Sequence, residues 1–221
     1  MAIAGNKGGT IIEMLVVVSI FAIVVTVLLF NYSSFITSVG VRNLAQEIGL
    51  SVRKAQTYAT SVRNITGTSG VMSDTFPAYG ISFSVDPTGS AYVPSSTAFT
   101  LFVDTSATND RITNNRYDND GVCGTPAVGQ ECVEHFSITT GTKIVSLCTD
   151  SPTPNNCFTT EHGGTVNVVF HRPNPDAVIC VIDSNGNCLN QHSSYLKVTV
   201  ESPKGLQRLI TIWNTGQISV N

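Results

Sequence analysis

The sequence predicts an α+β protein: one long N-terminal α-helix, membrane-spanning in its first half, packed on an antiparallel β-sheet head domain. Three observations carry this expectation. No charged residue occurs from Met14 to Val41. Apolar residues then recur at helical spacing from Val41 to Val62. Beyond residue 64 the chain turns to short alternating segments separated by Gly, Asn, Asp and Pro.

The first element is the apolar helix. Met14 to Phe30 holds only Ser19 and Thr26 as polar residues, and Ile11 and Ile12 extend the run toward the N-terminus. About 20 such residues cross a bilayer. A buried core helix is the plain alternative, but core helices are rarely apolar all round. A secretory signal peptide has a shorter apolar region followed by a small-residue cleavage site. Here Asn31, Tyr32, Ser33, Ser34 and Phe35 follow instead. A plain anchor fits the run but leaves Glu13 without a purpose. An ionisable side chain at the edge of a membrane helix is unfavourable and calls for a partner, unless it lies among the headgroups.

What precedes Glu13 supplies a context. A short polar leader, residues 1–8, carries Lys7 and ends at Gly8; Gly9, Thr10, Ile11, Ile12 and Glu13 follow. This resembles the cleavage signal of type IV pilins and type II secretion pseudopilins: Gly, an apolar residue, Thr, Leu, Ile, Glu. The resemblance implies that a prepilin peptidase cuts between Gly8 and Gly9 and that the new N-terminus is methylated. Gly9 stands where the family usually has Phe or Met. The cut after Gly8 puts Glu13 at the fifth mature position; a cut after Gly9 would put it at the fourth. In the family this carboxylate pairs with the N-terminal amine of a neighbouring subunit. A buried charge is tolerated when paired and heavily penalised when alone, so the pair selects the axial register as each subunit enters.

The helix continues past the membrane segment. Val41, Leu44, Ala45, Ile48, Val52, Ala55, Ala59 and Val62 form one stripe, with Arg42, Glu47, Lys54 and Arg63 mostly off it. Such a stripe packs on a head domain. Gly67 and Gly70 then break the pattern. The expected organisation is a leader at 1–8, a transmembrane half-helix at 9–35, an amphipathic half at 36–63 and a head at 64–221. A helix from about Thr10 to about Arg63 would be roughly 80 Å long.

The head reads as strands and loops. Segments 79–85, 99–103 and 195–200 alternate apolar and polar, as half-buried strands do. Further strands are expected at 143–147, 165–170, 177–182, 208–213 and 217–220, the last after a turn at Asn214, Thr215 and Gly216. Residues 104–130 are polar and read as a long loop. One long helix followed by antiparallel strands is a pilin-like architecture. The finer resemblance is to GspH/FimT-type minor pseudopilins, in the helix from Leu44 to Ala59 and the closing hairpin from Leu209 to Val220. Phe30 stands where major pilins often have Pro, which favours a minor subunit.

All six cysteines lie in the head: Cys123, Cys132, Cys148, Cys157, Cys180 and Cys188. Six allow fifteen pairings, and sequence does not choose among them. The spacing suggests three local bridges, 123–132, 148–157 and 180–188, the last stapling a hairpin through Asp183 to Asn187, each closing a loop of about ten residues worth roughly 2–3 kcal/mol in the chain-entropy model. Zinc is the competing reading, and no Cys-x-x-Cys pair supports it. Disulfides belong to an oxidising compartment. They settle an orientation that charge leaves open, since Lys7 and the amino terminus precede the anchor and Arg42 follows it. The head is expected outside the cytoplasm.

Asp104, Asp110, Asp118 and Asp120 form an acidic stretch whose oxygens could hold Ca²⁺, as a loop in some pseudopilins does. The twelve-residue EF-hand count from Asp118 reaches Gly129 rather than Glu. The plainer reading is a solvated surface loop. His135, His162, His171 and His192 are scattered, read as surface residues, and match no catalytic motif. An enzyme is not expected. A net charge of −3 gives nucleic acid no general attraction. FimT-like proteins can bind DNA through basic residues near the C-terminus, and Gly216 to Asn221 has none.

The resemblance therefore implies a structural subunit of a type IV pilus or type II secretion pseudopilus. Its partners would be other pilin or pseudopilin subunits, the prepilin peptidase, the inner-membrane assembly platform and membrane lipid. The alternative is a membrane-anchored extracytoplasmic binding module, an adhesin or DNA receptor. An anchored hydrolase has no motif behind it.

Overall fold

The computed structural model describes residues 10–61, 77–87, 94–104, 114–118, 123–124, 131–139, 141–150, 157–183, 186–190 and 193–221, apart from the side chains of 30, 31, 33 and 34. Helix α1 spans Ile11–Thr60, 50 residues, about 75 Å at 1.5 Å per residue. Thr10 enters it in extended backbone, with no side-chain cap. The helix ends slightly earlier than the sequence suggests. Ser61 is extended, and its N–H closes the last turn on Thr57 O at 2.8 Å. The hydroxyls of Thr57 and Thr60 bond back to Arg53 O and Gln56 O, a local competition that weakens a helix end. Val62 and Arg63 lie outside the described residues.

Eleven strands follow among the described residues: β1 Ala78–Ser84, β2 Ala98–Asp104, β3 Cys132–Ser137, β4 Lys143–Thr149, β5 Cys157–Thr159, β6 Thr165–Phe170, β7 Ala177–Ile182, β8 Cys188–Asn190, β9 Tyr195–Glu201, β10 Gln207–Trp213 and β11 Ile218–Val220. They build two antiparallel sheets, in the orders β3-β2-β1-β6-β7-β8 and β11-β10-β9-β4-β5. The chain is thus α+β, an apolar N-terminal helix followed by antiparallel sheets. Eight strands coincide with expected segments. β3 and β5 lie outside the expected segments, and β8 is the return strand of the hairpin that the 180–188 spacing suggests.

The core lies where both sheets meet the second half of α1. Val41, Leu44, Ala45, Ile48, Val52, Ala55 and Ala59 are buried, together with Ile81, Phe83, Leu101 and Val168 from the larger sheet and Leu196, Val198 and Ile210 from the smaller. Burying an aliphatic side chain contributes about 1.5–3 kcal/mol, so this stripe holds the helix to the head. Polar contacts fix its rotation. Lys54 pairs with Glu134 of β3, and Gln56 Nε2 donates to Pro175 O at 3.1 Å. Gly49 lies beside Ile218 and Val220 of β11.

The half-buried reading holds for β9, where Leu196, Val198 and Val200 are buried and the alternate residues are half-exposed. It fails for β1 and β2, which are buried at every position. Tyr79, Ile81 and Phe83 face the main core. The opposite face of the larger sheet is covered too. Ala78, Phe102, Tyr117, Cys132 and Val169 form a second apolar cluster there. Tyr117 comes from the stretch expected to be a solvated loop; its ring lies 5.5 Å from that of Phe102. Gly80 makes room for this, because a Cβ there would stand 2.7 Å from Val168 O and 2.8 Å from the Phe102 ring.

Candidate functional site

The first half of α1 is uncovered. Ile11–Leu29 is 19 residues of mean hydropathy 2.9, none of them buried by the rest of the protein. Among the described residues it is one helix long and apolar enough to cross a membrane. Apart from the partly covered Val25, its described residues are exposed as far as Ile36; cover starts at Thr37 and Ser38 and is complete at Val41. Phe21 is 68% exposed and Leu29 65%. An apolar surface of this extent is not left to water in a soluble monomer. Its two hydroxyls are already satisfied inside the helix: Ser19 Oγ donates to Val16 O at 2.8 Å and Thr26 Oγ1 to Ala22 O at 2.7 Å. Apart from Glu13, no side chain in the segment therefore demands water as a partner.

Glu13 stands in the first turn of this helix. Its N–H bonds Thr10 O at 3.0 Å. An acid in the first turn complements the positive end of the helix dipole. Among the described residues it makes no salt bridge. Gly8 and Gly9, the expected cleavage pair, lie outside the described residues, as does the amino terminus.

The cysteines form Cys123–Cys132, Cys148–Cys157 and Cys180–Cys188. Each second cysteine opens a strand: Cys132 begins β3, Cys157 begins β5 and Cys188 begins β8. These are three of the four edges of the two sheets. Edge strands expose unpaired backbone groups and are prone to fray or to pair with other chains. A covalent tie to the neighbouring strand or loop holds each in place. The fourth edge, β11, lies against α1.

The acidic stretch is divided. Asp110 and Asp120 lie outside the described residues. Asp104 closes β2 and is 2% exposed, which corrects its reading as part of a solvated loop. Its carboxylate accepts the N–H groups of Asn115 at 2.8 Å and Asn114 at 3.2 Å. Asn115 has a φ of 57°, a left-handed conformation that Asn tolerates better than most residues. Asp118 pairs with Arg116 and accepts from Asn114 Nδ2 at 2.8 Å. The Asp104 oxygens thus hold the 114–118 segment on the sheet, and those of Asp118 tie the segment to itself. Among the described residues no group of three or more His, Cys, Asp or Glu could hold a metal.

Burial pushes the Asp104 carboxyl from 3.8 up to about 6; the N–H groups of Asn115 and Asn114 oppose this and the charge of Asp118 adds to it. The folded state therefore holds this proton more tightly than the unfolded chain. Stability should fall as pH rises from about 4 to about 6, by up to about 3 kcal/mol at 1.36 kcal/mol per unit. Asp104→Asn cannot titrate and should flatten that slope. Urea unfolding of both proteins at pH 4 and pH 7 checks this, and equal slopes would show that another group sets it.

Two histidines expected at the surface are half-buried. His135 Nδ1 lies 2.9 Å from Thr100 Oγ1, and His171 Nε2 lies 2.5 Å from Asn115 Oδ1. Burial lowers both pKa values. His162 is exposed, and His192 lies outside the described residues. No protein-family model, curated protein or solved structure matches this chain.

Proposed function

We propose that the chain is a structural subunit, a minor pilin or pseudopilin, that assembles through its N-terminal helix into a type IV pilus or type II secretion pseudopilus. The observation that carries this reading is a single unbroken helix with two different halves. The second half is buried on the head, and the first offers an uncovered, mainly apolar stretch of 19 residues, Ile11–Leu29, with Glu13 near its start. Lipid covers such a half-helix before assembly, and the half-helices of other subunits cover it afterwards. In both settings a lone carboxylate is unfavourable; only the filament supplies it with a neighbour's amine. The three disulfides support a head held outside the cytoplasm.

Processing tests the reading. Protein isolated from membranes should begin at Gly9 and carry one N-terminal methyl group, as read by intact mass and terminal sequencing. A mature N-terminus at Met1 or Ala2 would refute the pilin reading and leave the plain anchor with a binding head.

A further inference from the structure

One end of the head is set beside the membrane by the way the strands run along α1. Gly216 lies against Gln56, where a Cβ would stand 2.5 Å from Gln56 Nε2, and Gly49 lies beside Ile218 and Val220. Ile218 is opposite Ile212 and Val220 opposite Ile210. Strand β10 therefore runs in the same direction as α1, with Trp213 level with Gln56 and Ile210 level with Gly49. At about 3.4 Å per strand residue and 1.5 Å per helix residue, Gln207 comes level with about residue 42, and the β9–β10 turn carries Lys204 to about the level of residue 39. The larger sheet agrees. Glu134 of β3 pairs with Lys54, and Phe136 shares an open groove with Asn43 and Gln46. Farther along the chain, a Cβ on Gly141 would lie 3.1 Å from Pro203 of that turn.

The turn is held by its own bonds. Ser202 N–H donates to Leu206 O at 2.9 Å, Gly205 N–H to Ser202 O at 2.9 Å and Leu206 N–H to Ser202 Oγ at 3.0 Å. Pro203, Lys204, Gly205 and Leu206 are nonetheless exposed, and Leu206 offers an apolar side chain, 38% exposed, at the tip. Lys143 and Arg208 flank Lys204. The acid among them, Glu201, faces Lys143 in register and accepts from Gln207 Nε2 at 2.6 Å. The acids Asp86 and Glu161 belong to the β5–β6 side of this end, where Gly163 lies near Asp86, and β5 is two strands from β9. On α1, Arg42 is exposed at the same level and Glu47 is exposed above it. The hairpin is thus the positive part of this end.

The apolar span of α1 ends at Leu29. Tyr32 and Phe35, both exposed, follow it, as aromatic residues do in the headgroup layer. That layer adds about 5–8 Å to each side of the hydrocarbon. A turn level with about residue 39 stands about 15 Å above Leu29 along the helix axis. It therefore lies within about 10 Å of the headgroups, about one Debye length at 0.1 M salt. Helix tilt, about 20° on average, brings one side of a head down onto the surface. We propose that the β9–β10 turn is a docking surface for anionic lipid headgroups: Lys204 meets a lipid phosphate and Leu206 rests at the interface, so that the unassembled head stands on the membrane its own helix crosses. Attraction of a basic segment to anionic lipid supplies the drive. The proposal rests on α1 crossing the membrane and not on assembly into a filament.

The test uses the full chain in vesicles of phosphatidylcholine, alone or mixed with phosphatidylglycerol, and reads tryptophan quenching. Trp213 is the one tryptophan, at the far end of β10, about 20 Å from Gln207. In a Trp213→Phe background, Phe21→Trp should be quenched by lipid brominated in its acyl chains. Failure there would show that α1 does not cross, and the membrane reading would fall with the proposal. In the same background, Leu206→Trp should be quenched by lipid carrying a nitroxide on its headgroup, more strongly with phosphatidylglycerol. Native Trp213 should not be. Adding Lys204→Ala should lower the ratio of docked to undocked head about fivefold, the worth of one cation near an anionic surface. With Phe21→Trp quenched, four results would each overturn the proposal. These are Leu206→Trp quenched no more than Trp213, no dependence on phosphatidylglycerol, no effect of Lys204→Ala, or quenching that rises with protein-to-lipid ratio. The last would assign the turn to a second copy of the chain.

Discussion

Replacing Glu13 with Val is expected to leave the protein in the membrane at normal level, cleaved after Gly8, and to remove it from filaments. Glu13 lies in the first turn of α1 and makes no salt bridge among the described residues. Its loss therefore takes nothing from the fold of the head. In lipid the change is slightly favourable, since a carboxylate at the membrane edge is unfavourable there. In a filament it strands the N-terminal amine of a neighbour among apolar helices. Removing one member of a buried ion pair typically costs about 3–5 kcal/mol. A tenfold change needs only about 1.4 kcal/mol, so incorporation should fall by at least about a hundredfold. Quantifying wild type and Glu13→Val in membrane and sheared-filament fractions decides it. Equal incorporation would mean that this carboxylate does not direct assembly.

The second large effect concerns the disulfides. Replacing all six cysteines with Ala should bring the head close to unfolding. The bridges span 9, 9 and 8 residues, and each is worth about 2–3 kcal/mol in the chain-entropy model. They lie on three separate sheet edges, where effects add well. Their sum, about 8 kcal/mol, is comparable with the entire stability of an ordinary domain, about 5–15 kcal/mol. For a chain of this size the thermal midpoint should drop by at least about 15 °C. Removing only Cys148 and Cys157, which face each other across β4 and β5, should lower it by about a third of that. The measurement is thermal unfolding of the full chain in detergent, beside thiol titration before and after reduction. Six free thiols in the untreated protein, or a midpoint shift below about 5 °C, would show that the bridges do not hold the edges.

Much of the fold is legible because its signals are local. Residues 11–29 need only their own composition to declare a membrane-length helix. Val41 to Ala59 needs only its spacing to declare a buried stripe, and all seven of its described positions are buried. β7 occupies the expected span, 177–182, as a continuous apolar run, and β6 the span 165–170, apolar except for Thr165 and Asn167. β5 and β8 have three residues each, too few for a periodicity to show. They exist because a neighbouring strand and a disulfide hold them. β3 begins at Cys132, directly after a polar stretch that hides it.

The polar groups of the head carried almost no signal. Asp104 was singled out for its neighbours in sequence, yet it serves the backbone of Asn114 and Asn115. Arg116, Asn115, Asn167 and Ser82 were not singled out. The alternation of β1, with Gly80, Ser82 and Ser84 on one face, was the trace they left.

By itself, then, the sequence determined the long helix, its division into an uncovered half and a docked half, eight of the eleven described strands and the chemistry of each strand face. All of these depend on residues within a few positions of one another, where period and composition act directly. The tertiary structure alone decided that the polar face of the larger sheet would be buried. It placed Tyr117 on Phe102, bonded Asn115 to Asn167 and to His171, 52 and 56 residues away, and left two buried oxygens beside a cavity. A serine in a strand reads the same whether water or another segment covers it. What covers it is set by contacts distant in the chain, and a local pattern does not encode them.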